Sequence, residues 1–142
     1  MSTNSSITIQ KENGEFLSAY CHWDGDINGN GRILLNHYND YDKALALISG
    51  GSMSSLGENI NTEMPHSFEK PQKNVTVYYC RDRQESYEHT KPYNGLSYLD
   101  VLTHQEQEYN YLFANKRWYV CTRKTRKLLS TLIKKEDEKS SK

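Results

Sequence analysis

Ser6-Ile7-Thr8-Ile9-Gln10, Lys11-Glu12-Asn13-Gly14 and Glu15-Phe16-Leu17-Ser18-Ala19-Tyr20-Cys21 stand near the start of the chain. The first segment alternates polar and apolar, the pattern of a strand with one buried face. Asn13-Gly14 is a strong tight-turn pair, so Glu15–Cys21 is predicted to return as a second strand. An opening hairpin of this kind commits the chain to a sheet.

Beyond it, residues 24–31 carry three glycines and four Asx residues, a composition that reads as a loop. Ile33–Tyr38 reads as a short helix. Asn39 or Asp40 can cap a second, Tyr41–Ser49, whose apolar stripe ends at Gly50-Gly51. Residues 50–74 are rich in Gly, Ser, Asn and Pro and are expected to form a long ordered loop pinned by Leu56, Ile60 and Phe68. Val75–Cys80 is β-branched and aromatic, the clearest single strand, with Arg81-Asp82-Arg83 leaving its end. Leu96–Thr103 reads as a short helix. Tyr109–Ala114 and Arg117–Thr122 form a hairpin around Asn115-Lys116. Lys124–Lys135 is a basic helix, and Glu136–Lys142 should fray. The expectation is an α+β domain: a mostly antiparallel sheet of about five strands in hairpins, with three or four short helices. One domain is expected over residues 1–122, followed by the basic C-terminal helix and frayed tail over 123–142.

Composition narrows the function classes. The chain has 142 residues, a 35% hydrophobic share and eleven tyrosines against three phenylalanines, so half-polar rings should do much of the packing. No run approaches the roughly 20 apolar residues of a membrane span, and no secretory signal pattern opens the chain. Cys21, Cys80 and Cys121 form no CxxC pair, so reduced thiols in a cytosol are expected. Formal charge is zero, but residues 123–142 hold eight Lys/Arg and three Asp/Glu, a net of +5, leaving −5 on residues 1–122. That acidic body argues against duplex nucleic acid as a partner.

Several constellations carry chemistry. Asp24-x-Asp26-x-Asn28-Gly29 matches the first half of a calcium loop, but Leu35 stands where the closing Glu belongs; no metal is expected. Cys21 and His22 are strand neighbours and point to opposite faces, a poor thiol–imidazole pair. Gly25, Gly29 and Gly31 match no nucleotide fingerprint, although an amide-rich anion site before Ile33 stays open. Arg81 and Arg83 beside Tyr79 are the better ligand candidates: guanidinium forks suit phosphate and aromatic faces stack on bases. Trp23 and Arg117 complete the candidate binding set, Trp23, Tyr79, Arg81, Arg83 and Arg117, with no catalytic residue and no cofactor.

Ordered segments resemble a family of small phage and prophage proteins: Tyr20-Cys21-His22-Trp23-Asp24-Gly25, Leu34-Leu35-Asn36-His37-Tyr38, Ser54-Ser55-Leu56-Gly57-Glu58, His66-Ser67-Phe68, Val75-Thr76-Val77-Tyr78 with Arg81-Asp82-Arg83, and Tyr109-Asn110-Tyr111-Leu112-Phe113 with Trp118-Tyr119-Val120. The resemblance covers about residues 6–121. It implies a phage accessory protein in the cytoplasm of a bacterial host, and by analogy an antagonist of host immunity. The first expectation is a non-enzymatic sponge for a small cyclic nucleotide-type signal. The second is a protein–protein inhibitor or adaptor acting on a host defence protein. The third is an enzyme degrading such a signal. A homo-oligomer is compatible with each.

Overall fold

The computed structural model describes residues 2–140, with the side chain of Ser140 left undescribed. β1 (Ser5–Gln10) and β2 (Phe16–Cys21) form the opening hairpin, with Ile7 opposite Ala19 and Ile9 opposite Leu17. A π-helical turn (Ile27–Gly31) runs directly into α1 (Arg32–His37). α2 (Tyr41–Ser49) is capped as the sequence predicts, the Asp40 carboxylate accepting from Lys43 N at 3.0 Å. There follow β3 (Met53–Ser55), β4 (Val77–Tyr78), α3 (Tyr79–Arg83), α4 (Tyr87–Thr90), β5 (Tyr93–Gly95) and α5 (Tyr98–Gln105). β6 (Tyr109–Ala114) and β7 (Arg117–Cys121) make the second hairpin, and β8 (Arg126–Leu128) leads into α6 (Leu129–Ser140). Asn115 and Lys116 turn that hairpin with φ of 53° and 65°, the left-handed pair that matches strand twist.

The class is α+β, as expected, but the sheet is mixed rather than mostly antiparallel and has eight strands rather than about five. Its order is β4-β3-β2-β1-β6-β7-β8, with β5 also on β2. β1–β6 and β2–β3 pair in parallel. Hairpin reasoning misses both pairings because their partners are far apart in sequence. Six α-helices occur among the described residues, against three or four expected.

Three elements shift. Regular strand in the Val75–Cys80 run is confined to Val77–Tyr78, because Tyr79 turns into α3. The basic helix begins only at Leu129, since Arg126–Leu128 pairs with β7. α6 stays helical to Ser140, where fraying from Glu136 was expected; residues 141 and 142 lie outside the described residues.

Both faces of the sheet are covered. Ile7, Ile9, Ala19, Tyr111, Phe113 and Trp118 pack under Leu34, Leu47, Ile48 and Leu129. On the other face Phe16, Leu112, Ala114 and Cys121 pack with Val101 of α5. That second face also buries a group of polar side chains that bond to one another, as burial favours. Ser6 Oγ donates to Asn110 Oδ1 at 2.7 Å, Thr8 Oγ1 donates to Ser18 Oγ at 2.8 Å, and Gln105 Nε2 reaches the same Ser18 hydroxyl.

Candidate functional site

Gly50 and Gly51 set the geometry of the outer edge of β2. Gly51 has φ +86°, and a Cβ there would lie 2.2 Å from Thr90 O, so only glycine allows this approach. Ser52 N then donates to Thr90 O at 2.7 Å, and Ser52 O accepts from Tyr79 N at 3.1 Å. As a result β5 and β3 lie end to end along β2: β5 pairs with Phe16–Ser18, and β3 with Cys21. Where one gives way to the other, a cleft of about 610 Å³ opens, within the range of small-molecule sites.

The cleft is lined mostly by donors and rings, Ser52, His89, Lys91, Tyr93, Asn94, His104 and Gln105, with the Glu88 carboxylate among them. The His104 ring stacks on Tyr93, centroids 3.8 Å apart and planes 10° apart. Tyr93 is fixed in turn by its hydroxyl, which donates to Asp100 Oδ1 at 2.8 Å. Lys91 Nζ stands 3.2 Å from Glu88, an exposed pair that leaves the ammonium accessible. Sequence reading missed this group because its members come from α4, β5 and α5 and share no spacing motif.

The predicted site residues are scattered around the fold. Arg81 is a clip. All five guanidinium donors are engaged inside the protein: Nε and Nη2 on the Asp82 carboxylate (2.8 and 3.0 Å), Nη2 also on Thr76 O (2.9 Å), and Nη1 on Ile60 O (2.7 Å) and Asn61 Oδ1 (3.1 Å). Asp82 is buried and accepts as well from Tyr78 N at 2.9 Å. Burial alone would raise its pKa, but these hydrogen bonds and the Arg81 charge outweigh it and hold the carboxyl below its ordinary value. His66 completes the clip: Nδ1 accepts from Gln72 N at 2.9 Å, while Nε2 faces Thr76 O and Asp82. Both ring nitrogens are occupied, so His66 has no free nitrogen to act as a base.

Arg83 and Tyr79 do come together. The Arg83 guanidinium lies over Phe68 at 4.6 Å and Tyr79 at 5.9 Å, a half-exposed cation–aromatic stack. Both leave α3 rather than a strand end. The Tyr79 backbone bonds to Ser52, which lines the cleft, but neither Tyr79 nor Tyr20 lines it. Burial first, and then the Tyr79 phenol, raise the Tyr20 pKa. Tyr20 hydroxyl meets His22 Nδ1 at 2.7 Å, and His22 meets Trp23 edge-on at 4.8 Å. Trp23 is 43% exposed. Arg117 does not join them: it lies on β7, five strands from β4, roughly 24 Å at ordinary strand spacing. It lines a separate cavity with Leu35 and Leu128.

The Asp24–Gly31 segment is wound by its own backbone, Asn30 N on Asp24 O at 2.7 Å and Gly29 N on Asp26 O at 3.1 Å. Arg32 N is bonded within that turn, so the amides before α1 are already in use. Asn28 is held by Arg32 Nε at 2.9 Å. Among the described residues no group of three or more His, Cys, Asp or Glu could hold a metal ion. Cys21 is buried and its thiol is pushed up to about 12, chiefly by burial, so it stays protonated and unreactive at neutral pH.

No protein-family model, curated protein or solved structure matches the chain. Among the described residues no helix is long and apolar enough to cross a membrane.

Proposed function

We propose that this chain is a non-enzymatic binding protein that sequesters a small, planar, anionic signal of the cyclic nucleotide type, and that it acts in a bacterial cell as a phage antagonist of immunity. The observation that carries the ligand reading is the cleft at the outer edge of β2. Lys91, His89 and His104 offer donor groups for phosphate, Asn94 and Gln105 offer amides for base edges, and the stacked Tyr93 and His104 rings stand in its wall. Charge-assisted hydrogen bonds of this kind are the strong ones. The resemblance of the chain's segments to small phage proteins supports the setting. The protonated Cys21 thiol and the fully engaged His66 support capture over turnover.

Calorimetry with a panel of cyclic nucleotides tests the reading. Stoichiometric binding is expected, weakened about tenfold in Lys91→Ala, the loss of one charge-assisted bond. No heat with any member of the panel, together with no protection of phage from signalling-based defences, would end it. A second reading, an inhibitor or adaptor of a host defence protein, rests on the exposed Trp23, a side chain favoured at interface hot spots. Loss of a recovered host partner in Trp23→Ala, with ligand binding intact, would favour it.

A further inference from the structure

The tip between β7 and β8 is a hydrogen-bonded, basic turn beside the exposed Leu99 of α5. Thr122 N donates to Thr125 O at 2.9 Å, and Thr122 Oγ1 accepts from Lys124 N and Thr125 N at 3.2 and 3.0 Å. This holds Arg123, Lys124 and Arg126 above the outer side of α5, around a cavity of about 240 Å³. Tyr98, Leu99 and Leu102 form its floor. Leu99 is 59% exposed and Leu96, just before the helix, is 76% exposed. The Tyr98 hydroxyl is buried against the Cys121 thiol, a weak acceptor that leaves it short of a full hydrogen bond. Arg126 lies over Tyr119 at 5.5 Å and Arg123 pairs with Glu106 at 3.1 Å. Both guanidinium groups are therefore oriented, and Lys124 has no ion pair among the described residues.

We propose that this groove docks an acidic peptide segment with an apolar anchor, contributed by a protein partner. The anchor would cover Leu99 beside the already buried Leu102, neighbouring carboxylates would meet Lys124 and the two arginines, and a backbone group of the peptide would complete the hydrogen bonding of the Tyr98 hydroxyl. Charge complementarity singles out this occupant. Arg123 to Lys127 carries four cations and no acid, while residues 1–122 carry a net −5. What separates a peptide from nucleic acid here is the apolar contact, since the exposed Leu99 and Leu96 gain nothing from phosphates. The site lies on α5 and the β7–β8 tip, apart from the cleft lined by Ser52 and Lys91, so its test is independent of the nucleotide reading.

The probe is a fluorescein-labelled peptide carrying Leu-Phe flanked by runs of Asp and Glu, titrated with the full chain and read by anisotropy. Saturable binding is expected, weakened about tenfold or more by Lys124→Glu, by Leu99→Ser, and by replacing Leu-Phe with Ser-Ser in the peptide. Circular dichroism of the variants should match the wild type, since both residues are exposed. No binding would overturn the proposal. So would equal displacement of the peptide by a single-stranded oligonucleotide of the same charge. Self-association that excludes the peptide and is abolished by Lys124→Glu would overturn it as well, by assigning the groove to a second copy.

Discussion

Trp118 packs edge to face on Phe113, centroids 5.2 Å apart, and donates its indole N–H to Tyr38 O at 3.0 Å. The buried tyrosines follow the same rule. Tyr38 hydroxyl donates to Gly57 O at 2.7 Å, Tyr111 hydroxyl to Gly25 O at 2.6 Å, and Tyr78 hydroxyl to Leu47 O. Each ring fills the core while its polar tip ties a loop or helix end to the sheet, as the tyrosine-rich composition predicts. Trp118→Ala should cost about 3–5 kcal/mol in denaturant unfolding, the range for emptying a large aromatic site. Asp82 supports a pH prediction. Its folded pKa is depressed, so its contribution is present above the unfolded carboxyl value, about 4, and is lost as pH falls through the lower folded value. Asp82→Asn should lose about 2 kcal/mol at pH 7 and show a flatter stability profile than wild type across that acid range, read from urea midpoints. The thiols give a third check. Cys80 is partly exposed whereas Cys21 and Cys121 are buried with raised pKa values. One thiol should react promptly with Ellman's reagent and the other two only after unfolding.

Elements differ in how far local sequence determines them. The two long hairpins, α1 and the Asp40-capped α2 are legible because turn residues, caps and apolar periodicity agree within a short window. β3, β4 and β5 are two or three residues long, too short to show a period; β3 and β5 exist because β2 offers them an edge, and β4 because β3 does. α3 replaces the expected end of a strand because the Tyr78 N–H is taken by the Asp82 carboxylate. The sequence predicts one basic helix over Lys124–Lys135 where the structure has β8 and α6. Arg126–Leu128 pairs with β7 while Leu129 is buried near Gly31 and Tyr111. Leu129→Ala should therefore destabilise by about 2–5 kcal/mol, and a chain cut after Thr122 should lose cooperative thermal unfolding. Persistence of a sharp transition in the cut chain would show that residues 1–122 fold without the final strand and helix.

At the scale of the whole molecule, the parallel β1–β6 pairing brings Ser5–Ile9 against Tyr109–Phe113 and places both hairpins in one sheet. Nothing in either segment announces that partner. The cleft is a product of the same long-range order, since α4, β5, α5 and Ser52 meet only when the sheet is complete. For that reason Arg81, which looked in the sequence like a phosphate fork, proves to be a structural clip, while Lys91 and His104 were passed over. The central claim, capture of a nucleotide-type signal without turnover, is tested most directly by recovery. Protein in excess is mixed with the cyclic nucleotide that binds in calorimetry, free ligand is removed by filtration, and the protein is denatured by heat. The account predicts that chromatography returns the ligand intact and in stoichiometric amount. A cleaved product would contradict it, and would make the cleft an active site.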